Sequence, residues 1–139
     1  MDIDTKVQNE TGEIHFKIGS NVNQSDFVSA KVMVYDKDRN LVATQVANDK
    51  LEGVASIDKV KLWWPFLMHP EPAYLYTLEV HLSTRQQEDV DIYRMKVGVR
   101  TLKWNKTAFL INDKPFYFRG FGKHEDSDVS EFWQMIILL

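Results

Sequence analysis

Apolar and polar residues alternate with a period of two along most of the chain, the pattern of strands with one buried face. In residues 13–18, Ile14, Phe16 and Ile18 fall on one side, and His15 and Lys17 on the other. The preceding Asn9-Glu10-Thr11-Gly12 is turn chemistry, so residues 3–7 and 13–18 read as a hairpin. Val28, Ala30, Val32 and Val34 line one face of the next strand. The polar run 36–40 then turns the chain into residues 41–46, and Asn48-Asp49-Lys50 breaks it. Residues 41–46 have a composition that also suits a helix, but the turns on both sides favour a strand. Residues 54–60 predict a weaker strand. Residues 74–82 predict the clearest one, with Tyr74, Tyr76, Leu78, Val80 and Leu82 inward and Thr77, Glu79 and His81 outward. A polar turn over 84–89 leads to a last strand over 90–99. Seven or so short strands in about 100 residues predict an all-β fold, an immunoglobulin-like β-sandwich.

Beyond residue 100 the pattern changes. Residues 108–111 and 114–118 flank Asn112-Asp113, which predicts a tight hairpin, with Pro115 near the start of its second strand. Pro65, Pro70 and Pro72 interrupt the ladder between strands and predict an extended crossing segment there. Trp63 and Trp64 at its head read as sandwich core and corner rather than as a sugar-stacking pair.

Length and composition narrow the class. With 139 residues, the chain is one domain's worth, and 44% hydrophobic with 27% charged residues excludes disorder and coiled coil. The longest apolar run, 135–139, is far shorter than the roughly 20 residues of a membrane-spanning helix, so no membrane partner is expected. The chain has no cysteine, which removes disulfides and Cys-containing zinc sites. The acidic, polar start Met1-Asp2-Ile3-Asp4 lacks the layout of a secretory signal. Net charge is −3, which argues against nucleic acid as the main partner. Residues 94–123 nevertheless hold eight basic residues against one acid, Asp113, interleaved with Trp104, Phe109, Phe116, Tyr117 and Phe118. Such interleaving also suits single-stranded nucleic acid. The preferred reading is solvated strand faces above buried aromatics.

Candidate chemistry is sparse. His124-Glu125-Asp126-Ser127-Asp128 is the one dense polar cluster, able to hydrogen-bond a hydroxyl-rich ligand. One His with three acids is a poor metal set, so no metal and no cofactor are expected. Asn9, Asn23 and Asn105 head the triplets Asn-Glu-Thr, Asn-Gln-Ser and Asn-Lys-Thr, which are N-glycosylation sequons.

Two long motifs carry a resemblance. Residues 62–80, opening Leu62-Trp63-Trp64-Pro65, and the run from Val97-Gly98-Val99-Arg100-Thr101 to Lys123-His124-Glu125-Asp126-Ser127-Asp128 resemble the animal β-glucuronidases of the glycoside hydrolase family 2 type. The resemblance implies residues 1–100 as the middle immunoglobulin-like domain. It implies 101–128 as a hairpin and first strand of the catalytic (β/α)8 (TIM) barrel. Residues 129–139 depart from the family pattern as an apolar tail, so the barrel is expected to be truncated. By resemblance, the family hydrolyses terminal β-D-glucuronides, glycosaminoglycans included, as lysosomal, glycosylated homotetramers. His124 and its neighbour Asp126 match the family's substrate-binding positions at a barrel strand's C-terminal end. The family's two catalytic Glu residues, about 5 Å apart as retention requires, are implied to lie beyond this sequence. The expectation is therefore a fragment of a β-glucuronidase-like hydrolase, inactive alone. The alternative is a non-enzymatic β-sandwich binding or scaffold module.

Overall fold

The computed structural model describes residues 1–19, 27–47, 51–84 and 91–120. All regular structure among them is β. The strands are β1 (Asp2–Gln8), β2 (Thr11–Lys17), β3 (Phe27–Tyr35), β4 (Leu41–Ala47), β5 (Glu52–Ile57), β6 (Tyr76–Thr84), β7 (Asp91–Val97), β8 (Leu102–Trp104), β9 (Phe109–Ile111) and β10 (Lys114–Phe116). Three antiparallel sheets form, with orders β1-β2-β5, β4-β3-β6-β7 and β10-β9-β8.

The first two sheets are the expected sandwich. Ile14, Phe16, Ala55 and Ile57 point from one sheet onto Val32, Val34, Leu78 and Val80 of the other, all buried. Period-two alternation places each of these on the same side as its neighbours two residues away, so a single face per sheet is dry. In a constant-type immunoglobulin domain the fourth strand stays with the first two and the fifth. Here β4 pairs with β3 instead, from Ala30↔Ala47 to Tyr35↔Leu41, giving three strands against four.

Local chemistry explains the turns. The Asp36 carboxylate accepts hydrogen bonds from the amides of Asp38 (2.9 Å) and Asn40 (2.8 Å) and from Asn40 Nδ2 (2.9 Å). A short acceptor side chain thus replaces the missing ladder at the β3–β4 turn. The fifth strand begins and ends earlier than the expected 54–60. Lys59 adopts a positive φ of 49°, which ends the extended run, and Val60 returns only as a single amide bonded to the Glu10 carbonyl at 2.9 Å. Gly53, the second residue of that strand, has no room for a side chain, because a Cβ there would lie 2.6 Å from the Phe16 ring. The sixth strand starts at Tyr76 rather than residue 74. Tyr74 precedes it, half-buried, with its ring edge-on to Tyr76 at 5.1 Å. The seventh strand is Asp91–Val97 within the expected 90–99. The breaks expected at 48–50 and, from residue 85, at 84–89 lie outside the described residues.

Two carboxylates with displaced ionisation sit on this framework. The Asn40 side chain and amide hold Asp36 below the usual carboxylate range, and the Arg94 guanidinium, 2.6 Å from Glu79, does the same for Glu79. A carboxyl that ionises more readily folded than unfolded contributes stability above its unfolded pKa, about 4, and loses it as pH falls through the folded value. The urea midpoint is therefore expected to drop between about pH 6 and about pH 3, and the drop should be shallower in Asp36→Asn and Glu79→Gln. Equal drops in both variants and the parent would show that neither carboxylate contributes.

Candidate functional site

Three stretches converge at one end of the sandwich: the crossing segment 61–75, the run following β7, and the β9–β10 hairpin. The crossing segment is anchored at its start, where the Lys61 amide donates to the Tyr76 hydroxyl at 2.8 Å. Burial pushes that phenol above its ordinary pKa, so it stays a neutral acceptor and donor. The Trp63 amide then donates to the Val99 carbonyl at 2.8 Å, and Ala73, at a positive φ of 55°, donates its amide to the Trp64 carbonyl at 2.8 Å.

The two tryptophans do different work. Trp64 is buried, stacks on His69 at 5.8 Å with planes 8° apart, and carries Lys114 Nζ 5.1 Å above its ring. Trp63 lies across Gly98, where a Cβ would meet its Cβ, Cγ and Cδ1 at 2.8–2.9 Å. The Arg100 guanidinium sits 4.5 Å from the Trp63 ring centroid, a cation–π contact of about 0.5–1 kcal/mol at exposed sites. Glycine is required at 98 because the indole occupies the space of a side chain.

Asn112 joins the three stretches. It and Asp113 form the two-residue turn, both with positive φ (50° and 62°), as a type I′ hairpin demands. Its Oδ1 accepts from the Thr101 amide at 2.9 Å, while its Nδ2 donates to the Trp63 carbonyl at 2.9 Å. Its own amide donates to the Thr101 carbonyl at 3.0 Å. One carboxamide therefore ties the hairpin to both the sandwich end and the tryptophan segment. Lys103 and Asp113 add a salt bridge across the exposed side of the small sheet.

Beside this junction, a cleft of about 420 Å3 runs between Phe66, Leu67 and Met68 on one side and Phe116, Tyr117 and Phe118 on the other. The polar side chains in its lining are Tyr117 and Arg119, so it offers no carboxylate or histidine. A larger groove of about 840 Å3 crosses the outer face of the four-stranded sheet between the β3–β4 turn and Arg94. Its carboxylates, Asp36 and Glu79, are both held ionised by their hydrogen bonds. A general acid needs the opposite displacement. Neither place is built for proton transfer among the described residues.

The residues expected to carry the chemistry divide as follows. His124, Asp126 and Asn23 lie outside the described residues. Asn9 sits exposed at the tip of the β1–β2 hairpin, and Asn105 is exposed in the loop between β8 and β9, far along the chain. No group of three or more metal-ligating side chains occurs among the described residues. No helix there is long and apolar enough to cross a membrane.

The expected buried aromatic layer under the basic run is corrected by the structure. Trp104, Tyr117 and Phe118 are 77%, 79% and 63% exposed. Strands of three residues form a small sheet with no second sheet over this aromatic face among the described residues. Phe109, Phe116 and Phe118 instead pack against one another, with centroids 4.9–6.2 Å apart. The basic residues also scatter: Arg94 pairs with Glu79, Arg100 covers Trp63, and Lys114 covers Trp64. Sequence reasoning missed the linking role of Asn112. The signal was there, since Asn is, after glycine, a favoured residue for positive φ in a two-residue turn, but its far partners are set by tertiary structure.

Residues 1–100 match the family described as glycosyl hydrolases family 2. The β-glucuronidase of Rattus norvegicus is 42% identical over 127 residues, covering 91% of this chain and 19% of that protein. That of Homo sapiens is 39% identical over 129 residues, with the same coverage. Among solved structures, β-D-glucuronidase of Dictyoglomus thermophilum is 40% identical, with a TM-score of 0.70 over 91% of this chain and 19% of that one. The apo β-glucuronidase of Ruminococcus gnavus superposes with a TM-score of 0.72 at 27% identity, over 91% of this chain and 20% of that one. The chain thus spans about a fifth of the length of the relatives it matches.

Proposed function

The chain belongs to glycosyl hydrolases family 2, and from that premise we propose that it serves as the supporting β-sandwich of a β-glucuronidase-like hydrolase of terminal β-D-glucuronides. In this reading residues 1–100 are the sandwich, 101–128 begin the catalytic barrel, and 129–139 are a divergent tail. His124 and Asp126 are substrate-binding, and the whole enzyme is a lysosomal or secreted homotetramer acting on glucuronide conjugates and glycosaminoglycans. The observation that supports it most directly is the Asn112 carboxamide, which fixes the hairpin against the Trp63 carbonyl and the Thr101 amide. A barrel strand that must present substrate-binding groups needs a rigid base, because misplacement by an ångström costs catalysis about 100-fold.

Retaining hydrolysis needs two carboxylates flanking the scissile bond and no cofactor. The larger groove does hold two carboxylates, Asp36 and Glu79, but both ionise below the ordinary range, so neither is the proton donor that the reaction also needs. The purified chain is therefore expected to give no turnover of a chromogenic β-glucuronide. A chimera in which residues 1–128 replace the matching segment of the Rattus norvegicus enzyme is expected to turn it over, and His124→Ala in that chimera to lose the activity. Turnover by the isolated chain, or a folded but inactive chimera, would overturn this reading.

A further inference from the structure

The loop joining β8 to β9 carries a feature that glucuronide hydrolysis does not use. Residues 105–108 close a compact turn in which the Asn105 amide donates to the Ala108 carbonyl at 3.0 Å. Within it, Asn105 Oδ1 accepts three hydrogen bonds: from the Thr107 amide at 2.9 Å, the Thr107 hydroxyl at 3.0 Å and the Ala108 amide at 2.8 Å. Asn105, Lys106 and Thr107 are all exposed, and Asn105 Nδ2 has no hydrogen-bond partner among the described residues. We propose that Asn105 is an N-glycan acceptor, selected over Asn9 by this turn.

The chemistry follows from the hydrogen bonds. An amide nitrogen is a poor nucleophile because its lone pair is delocalised onto the carbonyl oxygen. Three donors on that oxygen stabilise its negative charge and so make the Nδ2 protons more acidic. In the transfer, Nδ2 attacks the anomeric carbon of an oligosaccharide carried on a polyprenyl diphosphate. The nitrogen–carbon bond forms and the carbon–oxygen bond to diphosphate breaks. The diphosphate leaves with the electron pair, and one Nδ2 proton passes to the base of the transferase. Every contact in the turn lies within four residues, so the arrangement does not depend on the finished sandwich.

Asn9 heads a sequon of the same type in a different geometry. It occupies the two-residue β1–β2 turn at a φ of 56°, and Thr11 is already in β2, in register with Gln8. No hydrogen bond joins Thr11 to Asn9 among the described residues. The folded protein also accommodates a sugar better at residue 105. The adjoining Trp104 is 77% exposed, and an indole face is a favourable surface for the apolar side of a sugar ring.

The test is cell-free translation of the full chain, behind a cleavable secretory leader, into microsomes. Chains protected from added protease are deglycosylated in heavy-oxygen water, which converts each former acceptor to a labelled Asp, and mapped by mass spectrometry. Label is expected at residue 105 and absent at residue 9. It should be lost in Thr107→Ala, which leaves Asn105 in place, and kept in Thr107→Ser. Protected chains unlabelled at 105, label at 9 instead, or label surviving Thr107→Ala would each overturn the assignment. Because protection reports translocation alone, the outcome does not depend on folding or on the proposed hydrolase role.

Discussion

Leu78→Ala is expected to destabilise the sandwich by about 2–5 kcal/mol, the range for truncating a fully buried aliphatic side chain. Leu78 has no solvent exposure and sits on β6, which is paired on both sides, with Val34 of β3 and Met95 of β7. A central strand has little freedom to shift into the space left behind, which puts the effect toward the upper part of that range. Domain stabilities are about 5–15 kcal/mol, so such a loss removes a large share of the total. Lys31→Ala is the contrasting change. Lys31 lies on β3, one residue out of phase with buried Ala30 and Val32, and its side chain is exposed. It should shift the urea midpoint by no more than a typical surface substitution, about 0.5 kcal/mol. If the two variants unfold alike, the inward and outward faces of this sheet are wrongly assigned.

The facing rule that separates Leu78 from Lys31 is also what made the sandwich legible in the sequence. Residues 13–18 and 76–80 alternate without interruption, and each inward position among them apart from Ile18 is buried. Strand ends were less legible because they depend on contacts from elsewhere. Lys59 stops β5 by its backbone conformation, and the carbonyl of Glu10, from another hairpin, captures the residue after it. The pairing of β4 with β3 could not be read from periodicity, since a strand's pattern fixes which face is buried but not which neighbour it joins. The aromatic run after Trp104 misled for a related reason. Its composition resembles a buried strand, yet burial requires an opposing layer, and the described sheet of β8, β9 and β10 has none over Trp104, Tyr117 and Phe118. The candidate site was legible as motifs, because Trp63, Gly98, Arg100 and Asn112 all fall within them. Their joint geometry was not, because it links residues 49 positions apart.

That geometry gives the second large expected effect. Asn112→Ala removes an acceptor from the Thr101 amide and a donor from the Trp63 carbonyl, both partly buried. It also places a Cβ-bearing residue without a local polar side chain at a φ of 50°. Two hydrogen bonds at about 1 kcal/mol each, with about 1–2 kcal/mol for the left-handed backbone, sum to about 3–4 kcal/mol. The cost should fall on the junction rather than on the sandwich, because the core residues Ile14, Val32 and Leu78 make no contact with the hairpin turn through these bonds. Hydrogen exchange is the measurement that separates the two. The amides of Thr101, Trp63 and residue 112 should exchange far faster in Asn112→Ala than in the parent, while those of β3 and β6 keep their protection. Asn112→Gly should recover the backbone part alone, and Asn112→Asp should keep the acceptor for Thr101 but lose the donor to Trp63. Thr101→Val provides the control within the same contact. The Thr101 hydroxyl is buried without a hydrogen-bond partner among the described residues, so replacing it by a methyl group should not weaken the junction. A junction that opens as readily in Thr101→Val as in Asn112→Ala, or β6 amides that lose protection together with Thr101, would show that the carboxamide is not what fastens the hairpin to the sandwich.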